Sequence, residues 1–179
     1  MASTAVFVNG IPGSGKTTLA TALSTELGFP VVTKDAIKES LADLVSVDLP
    51  SRGLGALASD AMWSIAGMIE GPVIIESFWA SGRDEEFFRA GVSAAGIARA
   101  AEVWCDVSVE TARLRVATRP RHEIHQDTAR VAEWEQFTAT ARPISTFTVL
   151  NCNTEGPVDV PVLAGEILGI LGLSSQQRR

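Results

Sequence analysis

Runs of apolar and β-branched residues at 5–9, 31–33, 73–76, 102–106 and 146–150 alternate with stretches of helical character. Each gap between runs is long enough for a crossover helix, so the pattern predicts a parallel sheet covered by helices on both faces. The first crossover is the clearest: Leu19, Leu23 and Leu27 repeat once per turn, and Gly28 with Pro30 ends the helix. The second connection is longer. It reads as a helix over 35–45, a break at Pro50, Ser51, Arg52 and Gly53, and another helix over 54–69, closed by Gly71 and Pro72. Asp84, Glu85 and Glu86 fall in the first turn of a later helix, where carboxylates oppose the positive end of the macrodipole, and Ser108 is placed to cap the helix that follows the fourth run. The polar residues after Leu173 predict a frayed tail at 174–179, leaving 1–173 as one domain.

Composition narrows the class. With 179 residues, 46% of them apolar, the chain supports one well-buried core but not two ordinary domains. No stretch approaches the roughly 18 continuous apolar residues of a membrane span, and the first eight residues carry no basic segment or cleavage site, so a cytoplasmic protein with no membrane association is expected. Cys105 and Cys152 sit at the ends of apolar runs and read as reduced, strand-borne thiols. A net charge of -6 argues against an extended nucleic-acid surface, which needs clustered cations over a broad face. The local exception is Arg113, Arg115, Arg119 and Arg121, four arginines within nine positions.

Between the first run and the first helix lies Gly10-Ile11-Pro12-Gly13-Ser14-Gly15-Lys16-Thr17, followed by Thr18. Its strand-loop-helix context is that of a phosphate-binding loop. Glycines at 10, 13 and 15 let the backbone turn its N–H groups inward around a phosphate, with Ser14 in the cradle and the helix start adding donors and a favourable dipole. Lys16 is placed to bridge the β- and γ-phosphates of a nucleoside triphosphate, and the Thr17 hydroxyl to coordinate Mg²⁺. Glu76, at the end of the third run, is the candidate for a second metal-side group, whether on a magnesium-bound water or on the nucleophile.

A hydroxyl acceptor needs a carboxylate to take its proton, and Asp35, just past the second run, lies where a doubly wound sheet places its substrate crevice; the plainer reading makes it the cap of a helix starting at Ala36. Lys34 and Lys38 flank it one turn apart. Lys34 reads as a surface lysine, while Lys38 is open between surface pairing and anchoring a substrate. Arg115 and Arg119 share a helix face, and Pro120 stops the helix and throws Arg121 into a loop, which reads as a basic lid at about 117–128; Arg113 reads as a surface pairing residue. His122 and His125 lack the spacing of a zinc helix and read as polar groups of that lid. Trp63, Trp79, Trp104 and Trp134 are expected in the core or a pocket wall, with Phe78 and Trp79 best placed to touch an acceptor.

Through the segment 10–20, the segment 32–41 (Val-Thr-Lys-Asp-Ala-Ile-Lys-Glu-Ser-Leu) and the arginine-rich stretch 113–121, the chain resembles the P-loop kinases related to the kinase domain of polynucleotide kinase, the zeta toxins and chloramphenicol phosphotransferase. The resemblance implies a three-layer α/β P-loop NTPase fold with five parallel strands in the order 2-3-1-4-5. It also implies ATP and Mg²⁺ as ligands, Asp35 as general base, Lys38 near the acceptor, and lid arginines on the phosphates. The base of ATP would lie between Arg119 and the loop after the last strand, around Asn153 and Thr154. An ATP-dependent kinase acting on a hydroxyl of a small metabolite or antibiotic is therefore expected. The alternatives are a nucleoside or nucleotide kinase, with Arg52, Arg83 and Lys38 supplying an extra cationic pocket, or a non-catalytic NTP-dependent switch.

Overall fold

The computed structural model describes residues 3–44, 47, 49–118, 122–125, 138 and 140–174. Its elements follow in the order β1 (Ser3–Asn9), α1 (Lys16–Leu27), β2 (Val31–Thr33), α2 (Lys34–Asp43), α3 (Ser51–Met68), β3 (Pro72–Glu76), α4 (Glu85–Ala94), β4 (Ile97–Asp106), α5 (Val109–Thr118), β5 (Thr148–Asn153) and α6 (Val160–Leu171), with a 3-10 turn at Glu123–His125. The five strands are all parallel, in the order β2-β3-β1-β4-β5, which is the expected fold. Among the described residues no helix is long and apolar enough to cross a membrane.

Central strands are mostly apolar because both faces are covered. Along β1, Val6 and Val8 face a layer formed by α1 and α6, where Leu23, Leu27, Ile167 and Leu171 pack. Ala5 and Phe7 face the opposite layer, with Met62 and Trp63 of α3 and Phe88 of α4. Phe7 is fully buried and lies at the centre of an edge-to-face ring cluster, 4.9 Å from Phe88 and 5.9 Å from Trp79 between centroids. Burying such a side chain contributes roughly 1.5–3 kcal/mol, before the ring geometry adds its part.

Register brings the carboxyl ends of the strands together: Thr33 pairs with Glu76, Val8 with Glu76, Asn9 with Trp104, and Asp106 with Asn153. That edge carries the loops discussed below. Cys105 and Cys152 are also register partners; both are free and buried, and burial pushes the Cys105 thiol up to about 12, so it is an inert packing group.

Three boundaries depart from the sequence expectation. β4 starts at Ile97, not Glu102, because Ala100 and Ala101 pack inside a stretch whose exposed Ala98 and Arg99 mask the run. β5 is displaced to Thr148–Asn153; as an edge strand it leaves Asn151 and Asn153 exposed, and its polar residues conceal it. The break before α3 ends at Pro50, and Ser51, Arg52 and Gly53 are already helical: Leu54, Ala58 and Met62 form a buried stripe whose packing outweighs the local propensity of two glycines.

One glycine from α4 and one from α3 offer a paired test. A Cβ on Gly91 of α4 would lie 2.1 Å from the Trp63 ring, whereas a Cβ on Gly55 of α3 meets nothing within 4 Å. Chemical unfolding should show Gly91→Ala losing about 1–3 kcal/mol or more through overpacking. Gly55→Ala should gain about 0.5–1 kcal/mol, the helical preference of alanine over glycine.

Candidate active site

The chain leaves β1 through a loop that only glycine can follow at two points. Gly10 has φ 148, and a side chain there would strike the Cys105 carbonyl oxygen at 2.8 Å. Gly13 has φ 87 and lies so close to α5 that a Cβ would sit 2.3 Å from the Ala112 carbonyl oxygen. The loop closes through Ser14 N–H to the Ile11 carbonyl, 3.0 Å, and enters α1 at Gly15, whose left-handed conformation brings no side-chain cap to the helix start. With no acidic residue in its first turn, α1 presents its N-terminal amides to an outside anion. Ser14 Oγ is buried without a hydrogen-bond partner, a second group whose polarity a bound phosphate would satisfy. The cradle therefore fits a phosphate chain.

Lys16 is buried, and its ammonium donates to the Ile11 carbonyl at 3.1 Å, 6.0 Å from the Phe78 ring centroid. Thr17 Oγ1 lies 3.4 Å from Glu76 Oε2, so the first helix and the end of β3 place a hydroxyl and a buried carboxylate side by side. This pair suits a hard cation with oxygen ligands. Among the described residues no group of three or more His, Cys, Asp or Glu side chains stands ready to hold a metal alone. A magnesium ion here would complete its shell with phosphate oxygens and water, as Mg²⁺ does in phosphoryl-transfer sites.

Beside the loop opens a cavity of about 560 Å³ lined by Gly15, Thr18, Arg115, Thr154, Pro157 and Val158 among others. Arg115 Nη2 donates to the carbonyls of Thr154 at 2.9 Å and Glu155 at 3.1 Å, which fixes the loop after β5 as a wall. The wall is tied to the start of α5 as well, since Glu155 Oε1 accepts from Ser108 N–H at 2.6 Å; hydrogen bonds from Ser108 hold the Glu155 carboxyl below its usual range. Ser108 caps α5 as expected, its hydroxyl accepting from Thr111 N–H at 3.2 Å. Asn153 turns its side chain into the loop, accepting from Glu155 N–H at 2.9 Å, and shapes the wall rather than lining the cavity. Arg113 is exposed on α5. Arg119, Arg121 and Trp134 lie outside the described residues, which comprise only 117–118 and 122–125 of the lid expected at about 117–128.

On the other side of Lys16, α2 begins at Lys34 with Thr33 as its N-cap, so Asp35 belongs to the first helical turn rather than capping it. Lys34 is half-buried, which corrects its reading as a surface lysine: desolvation lowers its pKa against the opposing pull of Asp35 and Asp84, with Arg83 adding to the lowering. Lys34, Asp35, Arg83 and Asp84 thus form one electrostatic cluster between α2 and the loop after β3. Phe78 borders it, with the Arg83 guanidinium 5.3 Å from its ring centroid. Trp79 points the other way. Trp79 is 4% exposed and its ring packs on Phe7, Trp63 and Phe88, so only Phe78 of this pair borders the charge cluster.

Lys38 is buried, and its ammonium donates to Ser51 Oγ at 2.7 Å, while the Ser51 hydroxyl donates to the Ile124 carbonyl at 2.8 Å. His122 is hydrogen-bonded to Asp43 at 2.9 Å and His125 to Glu39 at 2.7 Å. Helix α2 thereby holds residues 122–125 along its length. Ser51, Glu39 and Asp43 carry no signal in the sequence, because their partners are 73 to 86 residues away.

The unfolded chain holds the Lys34 proton more tightly than the folded one, so the charged form costs stability below the folded pKa, and the cost fades as pH climbs toward the ordinary 10.5. Lys34→Met should therefore raise the urea midpoint at pH 7, and the gain over wild type should shrink as the titration moves into the alkaline range.

No curated protein matches the sequence significantly. Among solved structures, a candidate kinase from Chloroflexus aurantiacus J-10-fl superposes with a TM-score of 0.76 at 23% identity, covering 96% of this chain and 100% of that one. A sugar kinase from Janibacter sp. HTCC2649 matches with a TM-score of 0.60 at 18% identity, covering 98% of each chain. The tunicamycin resistance protein of Deinococcus radiodurans gives 0.58 at 19%, covering 96% of this chain and 97% of that one. These likenesses show a shared fold. The family match is broader than the three kinase groups suggested by the motifs, and it spans residues 6–144: the chain belongs to the AAA domain family.

Proposed function

We propose that the protein is an ATP-dependent phosphotransferase that moves the γ-phosphate of ATP to a hydroxyl of a small molecule, a metabolite or an antibiotic. The observation that carries this reading is the convergence, at one edge of the sheet, of an anion cradle with Lys16, the Thr17–Glu76 oxygen pair, and Phe78, which touches both Lys16 and the charge cluster that contains Asp35. The cavity walled by Arg115 and Thr154 accepts the nucleoside. Chain acidity, a net charge of -6, favours a small acceptor over a polynucleotide.

Phosphoryl transfer asks for positioning and for positive charge around a spreading anion. The amides of the loop and α1 hold the phosphates, and Lys16 leaves the Ile11 carbonyl to meet the β- and γ-oxygens. Thr17 and Glu76 would hold a magnesium ion, which would supply charge neutralisation for the phosphates. Asp35 orients the acceptor hydroxyl and takes its proton as the oxygen–phosphorus bond forms and the bond to the bridging oxygen of ADP breaks. Arg119 and Arg121, which follow α5 in the sequence, are the proposed source of further positive charge for the transferring group. Lys34 and Arg83 sit beside Asp35 and bear on its acceptor.

Transfer of radiolabelled γ-phosphate to a panel of hydroxyl compounds tests the reading. Lys16→Ala should abolish turnover, and Asp35→Asn should lower kcat by about 100-fold or more while MgATP affinity stays within a few-fold of wild type. Intact transfer in the Asp35 variant would remove it as the base. Transfer to no acceptor, together with a protein partner whose affinity follows the bound nucleotide, would replace the kinase with a switch.

A further inference from the structure

Behind the phosphate loop lies a buried polar pair that the mechanism above does not use. Asn9 and Glu102 are both fully buried, on adjacent strands β1 and β4, amid otherwise apolar packing. The Asn9 carboxamide is saturated. Its Oδ1 accepts from Gly10 N–H at 2.7 Å and Trp79 N–H at 3.0 Å, and its Nδ2 donates to the Trp79 carbonyl at 3.1 Å and to Glu102 Oε1 at 2.8 Å. A side-chain amide with every donor and acceptor engaged has one orientation open to it. Glu102 completes the link by accepting from the backbone N–H of Ser145 at 2.8 Å and of Ile144 at 3.2 Å.

Burying a carboxylate is costly, and apolar residues of similar volume would fill a core at least as stably. What the pair supplies is geometry. The Gly10 amide starts the phosphate loop, and Trp79 follows Phe78 on the acceptor side. Between them stands a single side chain bonded to both and held from behind by Glu102. On the phosphotransfer reading above, we propose that Asn9 and Glu102 are positioning residues that set the phosphate loop against the Phe78 side of the acceptor crevice.

Isosteric variants test this. Asn9→Asp sets an acceptor oxygen against the Trp79 carbonyl and Glu102, and Glu102→Gln sets an N–H₂ against either Asn9 or the 144–145 amides. Each should weaken MgATP binding about tenfold, the effect of one unpaired buried hydrogen-bonding group, and lower kcat, as read by fluorescent-nucleotide titration and steady-state kinetics. The double variant should lose less than the sum of the two singles, because the bond between positions 9 and 102 is common to both changes. In the wild-type protein, the Gly10, Trp79, Ile144 and Ser145 amides should exchange with solvent as one slow group, a measurement that needs no variant to fold. Variants that lose stability yet keep wild-type MgATP affinity and kcat would overturn the positioning role, as would exchange of these amides at the rate of the Gly82 and Gly156 loops. Failure of the wild type to bind MgATP would instead sink the phosphotransfer reading, and this role with it.

Discussion

The site depends on a steric constraint: the backbone must turn inward between a fully buried strand and a helix whose first amides have no partner of their own. Gly10 and Gly13 meet it, one against the Cys105 carbonyl and the other against the Ala112 carbonyl. A loop squeezed between β4 and α5 in this way has little freedom to relax, so its amides are preorganised for an anion before any ligand arrives. Two-sided packing of β1 anchors one end and the Leu19, Leu23, Leu27 stripe of α1 anchors the other.

Much of this was legible in the chain because the relevant interactions are local. The loop, its flanking strand and the leucine stripe lie within one continuous segment, Ser3 to Leu27, and their spacing states their geometry. Strands buried on both faces announce themselves as apolar runs, which is why the sequence reading of β1 and β3 lies close to the observed strands. That of the edge strand β5 does not, since its exposed asparagines imitate a loop. Local propensity also misplaced the start of α3, where Gly53 and Gly55 look like breakers and long-range packing overrules them.

Side-chain direction was the least legible property. Lys34 and Lys38 are one turn apart, yet the first sits in a cluster of charges near Asp35 and the second is buried on Ser51, a difference fixed by α3 and residue 124 and by nothing near the lysines themselves. Phe78 and Trp79 are neighbours, and sequence cannot say which of two adjacent residues faces the crevice; the ring cluster around Phe7 claims the tryptophan. The histidines at 122 and 125 read from sequence as polar groups of the lid, and their role in fastening that segment to α2 requires the third dimension.

Arg115 illustrates a different economy. Its guanidinium already serves two carbonyls of the loop after β5. A cation engaged in this way makes the wall of the cavity and the charge beside the phosphate loop parts of one component. Both bonds leave from Nη2, while Nη1 lies toward Gly15, so a single guanidinium spans the wall and the loop. Displacing the loop after β5 therefore also displaces the positive charge next to Gly15, and neither can be adjusted without the other.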